Sequence, residues 1–99
     1  FTLANRYSGS MTVNHLDAYR VETLSEAEDL AIPELLEDGV TLVEWGDNIL
    51  PALPADHLQI RITLGEGDDD RILQFTAAGS TWRSRSLTLA ESLDTWRVR

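Results

Sequence analysis

The sequence predicts an α/β fold in which a small sheet is flanked by helices. Residues 40–45 are almost continuously apolar, as in buried parallel strands, and a helical segment precedes them. Residues 57–64 alternate between apolar and polar side chains, which is typical of a strand with one buried face. The 99 residues, 42% of them hydrophobic, suffice for one small domain. Because no internal repeat or linker divides them, we expect a single domain over residues 1–99.

The N-terminal part of the chain predicts a β-hairpin. Segments 1–8 and 11–17 flank a Ser-Gly-Ser turn. In the second strand the side chains alternate, with His15 and Asp17 on one face and Leu16 on the other.

A helical region follows at residues 23–36. Ser25 and Glu28 have the spacing of a capping box, in which Ser25 accepts a hydrogen bond from the helix backbone and Glu28 reaches back. Pro33 divides the region and suits the first turn of a second short helix, which Gly39 closes.

The apolar segment at 40–45 predicts a strand buried on both faces in a parallel sheet. The helical region would then cross one face of the sheet, which places this strand beside the strand at 12–17 and parallel to it.

The C-terminal half predicts a loop at 46–54, a β-hairpin of strands 57–64 and 71–77, and a terminal helix capped by Ser80 or Thr81. The apolar residues of the hairpin expected to face inward are Leu58, Ile60, Ile62 and Leu64. In the helix, the apolar residues expected along roughly one face are Trp82, Leu89, Leu93 and Trp96.

The composition excludes several classes of function. With 17 acidic and 8 basic residues, the formal net charge is −9. Such a surface repels nucleic-acid phosphates and anionic membranes, so we expect no direct DNA or RNA binding and no membrane association. No apolar run approaches the ~20 residues of a membrane span. The chain has no cysteine, and its two histidines lack the spacing of a zinc site.

Asp17 and Glu44 are the leading candidate functional residues, because each lies at the end of a predicted strand. Ligands of open α/β sheets bind at the carboxyl ends of the strands. A Mg²⁺ ion that bridges nucleotide phosphates takes carboxylate oxygens, and a second acid can orient the attacking water. In the alternative interpretation, Asp17 caps the following loop and Glu44 pairs with an arginine such as Arg20.

The loop that normally holds the phosphates, G-x-x-x-x-G-K-S/T, is missing, since the chain contains no lysine. The sequence begins at Phe1 inside an apolar run and without an initiator Met. We therefore expect the C-terminal portion of a nucleotide-handling domain, cut after the phosphate loop.

Three further residues are candidates for cofactor binding. His15 could bond a phosphate or hold Asp17 in place, or it could be a satisfied core histidine. Trp45 could fill the core or lie beside the nucleotide. Arg71 could contact the nucleotide, or it could neutralise Asp70 in the preceding turn.

Three blocks of the sequence together resemble the bacterial TsaE family, over essentially all of the chain. The blocks are Phe1-Thr2-Leu3 with Tyr7, then Val13-x-His15-Leu16-Asp17-x-Tyr19-Arg20, and then Leu42-Val43-Glu44-Trp45. The resemblance implies a P-loop NTPase-like sheet with flanking helices, truncated at the N-terminus, with a C-terminal β-hairpin and helix. Gly46 and Asp47 stand where the family usually has proline after Glu-Trp, and Ala31 stands near a position where glycine often ends the helix.

The resemblance also implies an activity: a cytoplasmic ATPase required for threonylcarbamoyl modification of adenosine in tRNAs that read ANN codons. Its cofactors would be ATP and Mg²⁺, and its partner a TsaB–TsaD heterodimer. Glu44 matches the family's magnesium-associated glutamate, Asp17 its second acidic residue and Trp45 the neighbouring tryptophan. Without a phosphate loop, these residues alone are expected to be inactive.

An alternative from another class is a non-catalytic acidic interaction module without a nucleotide role. A phosphate-loop sequence encoded a few dozen codons before Phe1 would favour the ATPase, and unrelated sequence or a stop codon there would favour the module.

Overall fold

The computed structural model of the protein describes residues 4–30, 32–37 and 39–97. The elements are a mixture of strands and short helices, which confirms the predicted α/β class. Residues 1–3 of the predicted first strand, and Ala31 at the predicted helix end, lie outside the described residues.

The chain forms two compact units, Phe1–Leu53 and Pro54–Arg99, each with its own sheet. Each unit is described by itself below. The expectation of a single domain over the whole chain stays a prediction.

The first unit contains a three-stranded sheet in the order β1-β2-β3. Strands β1 (Ala4–Tyr7) and β2 (Val13–Asp17) form the predicted antiparallel hairpin, and β2 pairs in parallel with β3 (Val40–Glu44). The predicted side-by-side, parallel arrangement of the second and third strands is therefore confirmed. Their register pairs Asp17 with Glu44.

Two short helices, α1 (Leu24–Glu28) and α2 (Ile32–Leu36), connect β2 to β3. Pro33 occupies the first turn of α2, where its missing N–H removes no helical hydrogen bond. A turn of 3-10 helix follows β3 at Gly46–Ala52, within the predicted loop. The buried core of the unit consists of Leu16, Ala18, Val21, Ala27, Ile32 and Ile49.

The cap of α1 differs from the predicted capping box. The N-cap is Thr23, whose Oγ1 accepts from the backbone N of Glu26 at 3.1 Å. The Glu26 carboxylate in turn accepts from the backbone N of Glu22 at 3.2 Å. The prediction of Ser25 and Glu28 was wrong by two residues. Thr23 has the extended backbone of an N-cap, so the helix begins at Leu24 and Ser25 lies inside it.

The inner face of β2 carries Asn14 and Leu16, as the alternation predicted. Asn14 is buried, and its Nδ2 donates to the carbonyl oxygen of Leu35 at 3.1 Å. The amide therefore satisfies a carbonyl in the last turn of α2, where helical donors run out.

Gly39 directly precedes β3, and its backbone lies very close to the backbone of Thr12. Its φ is +140°, and a Cβ there would lie 2.2 Å from the carbonyl oxygen of Thr12. The next residue, Val40, donates its N–H to that same oxygen at 3.0 Å. A side chain at Gly39 would prevent this approach, so the position requires glycine.

The prediction that the third strand is buried on both faces was wrong. In β3 the side chains of Val40, Leu42 and Glu44 are exposed, and only Thr41 and Val43 are partly buried. In the part of the chain that the structure describes, only the face of β3 that carries Thr41 and Val43 is partly covered, and the opposite face is open to solvent.

The second unit contains the predicted hairpin, formed by β4 (His57–Leu64) and β5 (Arg71–Ala78) in antiparallel register. Two helices follow, α3 (Ser80–Ser84) and α4 (Ser86–Ser92), with a final 3-10 turn at Asp94–Trp96. The predicted single terminal helix is therefore broken at Arg85.

Several residues predicted to face inward in this unit are exposed, and the prediction was wrong for them. They are Ile60, Ile62 and Leu64 in the hairpin. The alternation correctly predicted the strand, but a two-stranded hairpin buries its apolar face only where something packs on it.

Helix α3 is capped by a residue distant in sequence. The two carboxylate oxygens of Asp56 accept from the backbone N–H groups of Thr81 at 3.1 Å and Trp82 at 3.2 Å. The prediction of Ser80 or Thr81 as the cap was wrong, because Gly79 takes the N-cap position and the Asp56 side chain supplies the acceptors. A hydrogen bond from the Thr81 side chain is the main cause that lowers the pKa of Asp56, and the backbone bonds from Trp82 and Thr81 and the charge of Arg85 add to it.

Candidate functional site

Asp17 and Glu44 lie together at the carboxyl end of the parallel pair β2–β3. They are direct register partners, so their side chains project from the same face of the sheet. The ladder continues one residue further, where the backbone N of Ala18 donates to the carbonyl oxygen of Glu44 at 2.9 Å. The sequence placed both acids at the ends of neighbouring strands, and the structure confirms this placement. Their catalytic and metal-binding roles stay predictions.

His15 contacts Glu44 and not Asp17. Its Nε2 lies 3.4 Å from Oε1 of Glu44, and the contact becomes an ion pair when the ring is protonated. His15 is two residues before Asp17 on the same strand face, so it is a diagonal neighbour of Glu44 across the pair. The ring is partly exposed and therefore reaches the same surface as the two acids. The His15 ring thus restrains the Glu44 carboxylate from the neighbouring strand.

Asp17 also stabilises the loop that follows it. Its Oδ1 accepts from the backbone N of Tyr19 at 3.0 Å, which is the geometry of an Asx turn. The alternative interpretation of Asp17, in which it caps the following loop, is thus observed. This bond fixes the direction of the carboxylate through Oδ1. The Asx turn engages that one oxygen, so it does not conflict with the predicted metal-binding role of Asp17.

Trp45 is not a core residue, which removes one of its two interpretations. The residue is 60% exposed, and its ring centroid lies 4.9 Å from that of Tyr19 with the planes tilted by 54°. Its backbone is left-handed, with φ 59° and ψ 40°, a conformation that is costly for a bulky side chain. The two rings form an exposed aromatic surface directly after the two acids.

Asn48 joins the loops after β2 and β3, a role that the sequence did not predict. Its Nδ2 donates to the carbonyl oxygens of Ala18 at 2.9 Å and Tyr19 at 3.2 Å. Its own backbone N donates to the carbonyl oxygen of Trp45 at 3.0 Å. No sequence motif marks this residue, because its partners lie 29 and 30 positions away.

Arg71 lies in the second unit, at the start of β5. Its Nη1 donates to the carbonyl oxygens of Asp68 at 3.2 Å and Asp70 at 2.8 Å. Arg71 thus closes the acidic turn of the hairpin through backbone carbonyls. Its predicted contact with a nucleotide stays a prediction.

The acid pair offers two carboxylates as possible ligands to a metal ion. Among residues 4–30, 32–37 and 39–97, no group of three or more His, Cys, Asp or Glu side chains could hold a metal ion. Mg²⁺ is commonly bound by one or two carboxylates, with waters and substrate phosphates completing its shell. Asp17 and Glu44, adjacent at the carboxyl end of β2–β3, could supply these carboxylates, and their metal-binding role stays a prediction.

In the described part of the chain, no helix has both the length and the apolar character needed to cross a membrane.

The fold and the site define an α/β protein with two carboxylates at the ends of adjacent parallel strands, where such proteins bind their ligands. The family model described as "Threonylcarbamoyl adenosine biosynthesis protein TsaE" matches residues 1–73. The chain belongs to the TsaE family.

Two curated relatives carry the name tRNA threonylcarbamoyladenosine biosynthesis protein TsaE. The protein of Bacillus subtilis is 42% identical over 84 residues, covering 83% of this chain and 51% of the relative. The protein of Streptomyces coelicolor is 35% identical over 79 residues, covering 76% of this chain and 53% of the relative. The chain thus spans about half the length of the curated relatives it matches.

The crystal structure of Bacillus subtilis YdiB has a similar fold. It superposes with a TM-score of 0.71 at 34% sequence identity, covering 93% of this chain and 57% of that one. This similarity agrees with the mixed α/β architecture described above.

Proposed function

We propose that the protein is an ATPase of tRNA threonylcarbamoyladenosine biosynthesis, in which Asp17 and Glu44 hold Mg²⁺ at the phosphates of ATP. The pairing of these two acids at the carboxyl end of β2–β3 carries the proposal. The names of the TsaE relatives supply the pathway. Such tRNA modification belongs to the cytoplasm, which is the proposed location.

The proposed roles follow from the contacts at the site. Bound Mg²⁺ would supply the positive charge that neutralises the phosphate oxygens. Glu44 and Asp17 would offer it oxygen ligands, with Glu44 restrained by His15 and Asp17 restrained by the backbone of Tyr19. The aromatic surface of Trp45 would lie beside the nucleotide.

The proposal requires phosphate-binding groups from outside these 99 residues. The chain contains no lysine, so it cannot form the lysine-containing loop that P-loop enzymes place at the β- and γ-phosphates. We therefore expect that the 99 residues alone do not hydrolyse ATP.

The proposed partner is a TsaB–TsaD-like heterodimer, and the tRNA itself is not expected to bind tightly. The formal net charge of −9 opposes the several phosphate contacts that nucleic-acid binding requires. Docking on the heterodimer rests on membership of the family.

The decisive experiment compares the product of the complete open reading frame with residues 1–99. We expect Mg²⁺-dependent ATP hydrolysis by the complete protein, none by residues 1–99, and a phosphate-loop sequence encoded upstream of Phe1. Unrelated upstream sequence together with absent hydrolysis would contradict the proposal and favour an acidic interaction module.

A second experiment tests the partner. The complete protein, immobilised with and without ATP, should retain the TsaB–TsaD heterodimer, and a salt titration with bare tRNA should show only weak binding. Tight, salt-sensitive tRNA binding by the protein alone would contradict this part of the proposal.

A further inference from the structure

One side chain ties together the two loops that carry the acid pair. Nδ2 of Asn48, in the 3-10 turn after β3, donates to the carbonyl oxygens of Ala18 and Tyr19 in the loop after β2. An amide nitrogen has two hydrogens, so one side chain can serve both acceptors. The two loops belong to the same compact unit and are otherwise distant in sequence.

Three contacts of the acid pair and its neighbours involve the residues that Asn48 bonds. The backbone N of Tyr19 donates to Asp17, and the backbone N of Ala18 donates to the carbonyl oxygen of Glu44. The Tyr19 ring also packs on Trp45, the residue directly after Glu44. Asn48 therefore restrains the peptide units that position both carboxylates.

The left-handed backbone of Trp45 makes this restraint necessary. A bulky residue with positive φ persists only where surrounding contacts hold it. Asn48 holds it from both sides: its backbone N bonds the carbonyl oxygen of Trp45, and its side chain bonds the loop whose Tyr19 covers the Trp45 ring.

We infer that Asn48 is a positioning residue of the Mg²⁺–ATP site, which sets the geometry of Asp17, Glu44 and Trp45 without touching the cation. The inference rests on the proposed function for its kinetic consequence. Its structural part, the control of the Tyr19–Trp45 pair, is independent of catalysis.

The kinetic test uses the complete protein and two substitutions. Asn48→Ala removes the amide, and Asn48→Asp keeps its size but removes both donor hydrogens. We expect both to raise the Mg²⁺ concentration for half-maximal ATP hydrolysis roughly tenfold, as two lost hydrogen bonds suggest. The rate at saturating Mg²⁺ should stay within about twofold, since the carboxylates themselves remain. Gln74→Ala, which removes an exposed amide from β5, is the matched control and should change neither value.

The spectroscopic test needs no catalysis. The fluorescence of Trp45 is isolated by subtracting the spectrum of the matching Trp45→Phe variant. Loss of Asn48 should move this emission to longer wavelength and increase its quenching by acrylamide, because the ring loses its Tyr19 contact. Gln74→Ala should leave it unchanged.

The two tests separate failure of the inference from failure of the proposed function. An unchanged Trp45 emission in both Asn48 variants overturns the inference, whether or not the protein hydrolyses ATP. If the unmodified protein is inactive but the emission shifts as expected, the proposed function fails and the positioning role of Asn48 stands. If hydrolysis is present and the Mg²⁺ requirement is unchanged in both variants, the kinetic part of the inference is wrong.

Discussion

His15 contacts Glu44 across the parallel pair, with 3.4 Å between Nε2 and Oε1, and Glu44 is itself the register partner of Asp17. The three side chains share one face of the sheet, and this face is open to solvent at β3, where Leu42 and Glu44 are exposed. The two acids are thus accessible to a hydrated cation, and His15 limits the freedom of one of them. A cation and its phosphate ligands could bind there without a change in the strands.

Removing either carboxylate should abolish most of the proposed activity. In the complete protein, we expect Glu44→Ala to lower the rate of Mg²⁺-dependent ATP hydrolysis roughly 10²–10³-fold, the usual size for one preorganised electrostatic contact. Asp17→Ala should be similarly harmful and should also loosen the turn at Tyr19. Steady-state hydrolysis at saturating Mg²⁺ measures both, with Glu66→Ala in the exposed hairpin turn as the control. Hydrolysis near the unmodified rate in both variants would leave the two acids as structural residues only.

The sequence was sufficient to predict the parallel pair and the acids at its end. The period of two in residues 11–17 predicted that Leu16 lies on the opposite face from His15 and Asp17, and the helical region before Val40 implied a crossover. These features depend on residues close together in the chain, where pattern and propensity decide the structure.

The features that the sequence missed depend on contacts between distant segments. Asp56 caps α3 from 25 positions away, and Asn48 bonds a loop 30 positions before it. A local sequence pattern does not reveal partners at this distance. An Asp or Asn before a turn is common, so neither residue is conspicuous in the sequence. The apolar content of β3 was likewise ambiguous, because it shows that a strand can be buried and does not show what covers it.

Gly39 should tolerate no side chain. We expect Gly39→Ala to lower the free energy of unfolding by about 2 kcal/mol or more, because a methyl group would lie 2.2 Å from the carbonyl oxygen of Thr12 at a φ of +140°. The neighbouring backbone would have to move, and the first hydrogen bond into β3, from Val40 to Thr12, would weaken. Urea unfolding of the complete protein measures the loss.

Gly9 provides the matched control for this substitution. It lies in the exposed turn between β1 and β2, and a Cβ there would come no closer than 4.0 Å to the oxygen of Met11. Gly9→Ala should therefore change the stability by a few tenths of a kcal/mol at most. Equal effects of the two substitutions would show that the close approach at Gly39 is absent in solution.

Two substitutions at Trp45 distinguish the contribution of its ring to stability from the cost of its left-handed backbone. Trp45→Ala and Trp45→Gly both remove the contact with Tyr19, but only glycine adopts φ 59° without steric cost. We expect the glycine variant to be more stable than the alanine variant by about 1 kcal/mol, the cost of a left-handed L-residue. Thermal unfolding of the two proteins under identical conditions measures the difference. A more stable alanine variant would mean that the turn after β3 is not left-handed.

The cap that Asp56 provides for α3 should make part of the stability dependent on pH. A hydrogen bond from the Thr81 side chain is the main cause that lowers the pKa of Asp56 below its ordinary value of 3.8, so the folded state favours the charged carboxylate. The stabilisation is therefore fully present above about pH 3.8. It is lost as the pH falls through the lower pKa of the folded state.

Asp56→Ala tests this dependence, because it removes both acceptors from the N–H groups of Thr81 and Trp82. At pH 7 we expect the variant to have a lower midpoint urea concentration of unfolding than the unmodified protein. The difference between the two midpoints should shrink as the pH is lowered below 3.8. Asp69→Ala, in the exposed turn between β4 and β5, serves as the control for loss of a negative charge. A difference in midpoint that stays constant until both proteins unfold in acid would show that the charge on Asp56 does not stabilise α3.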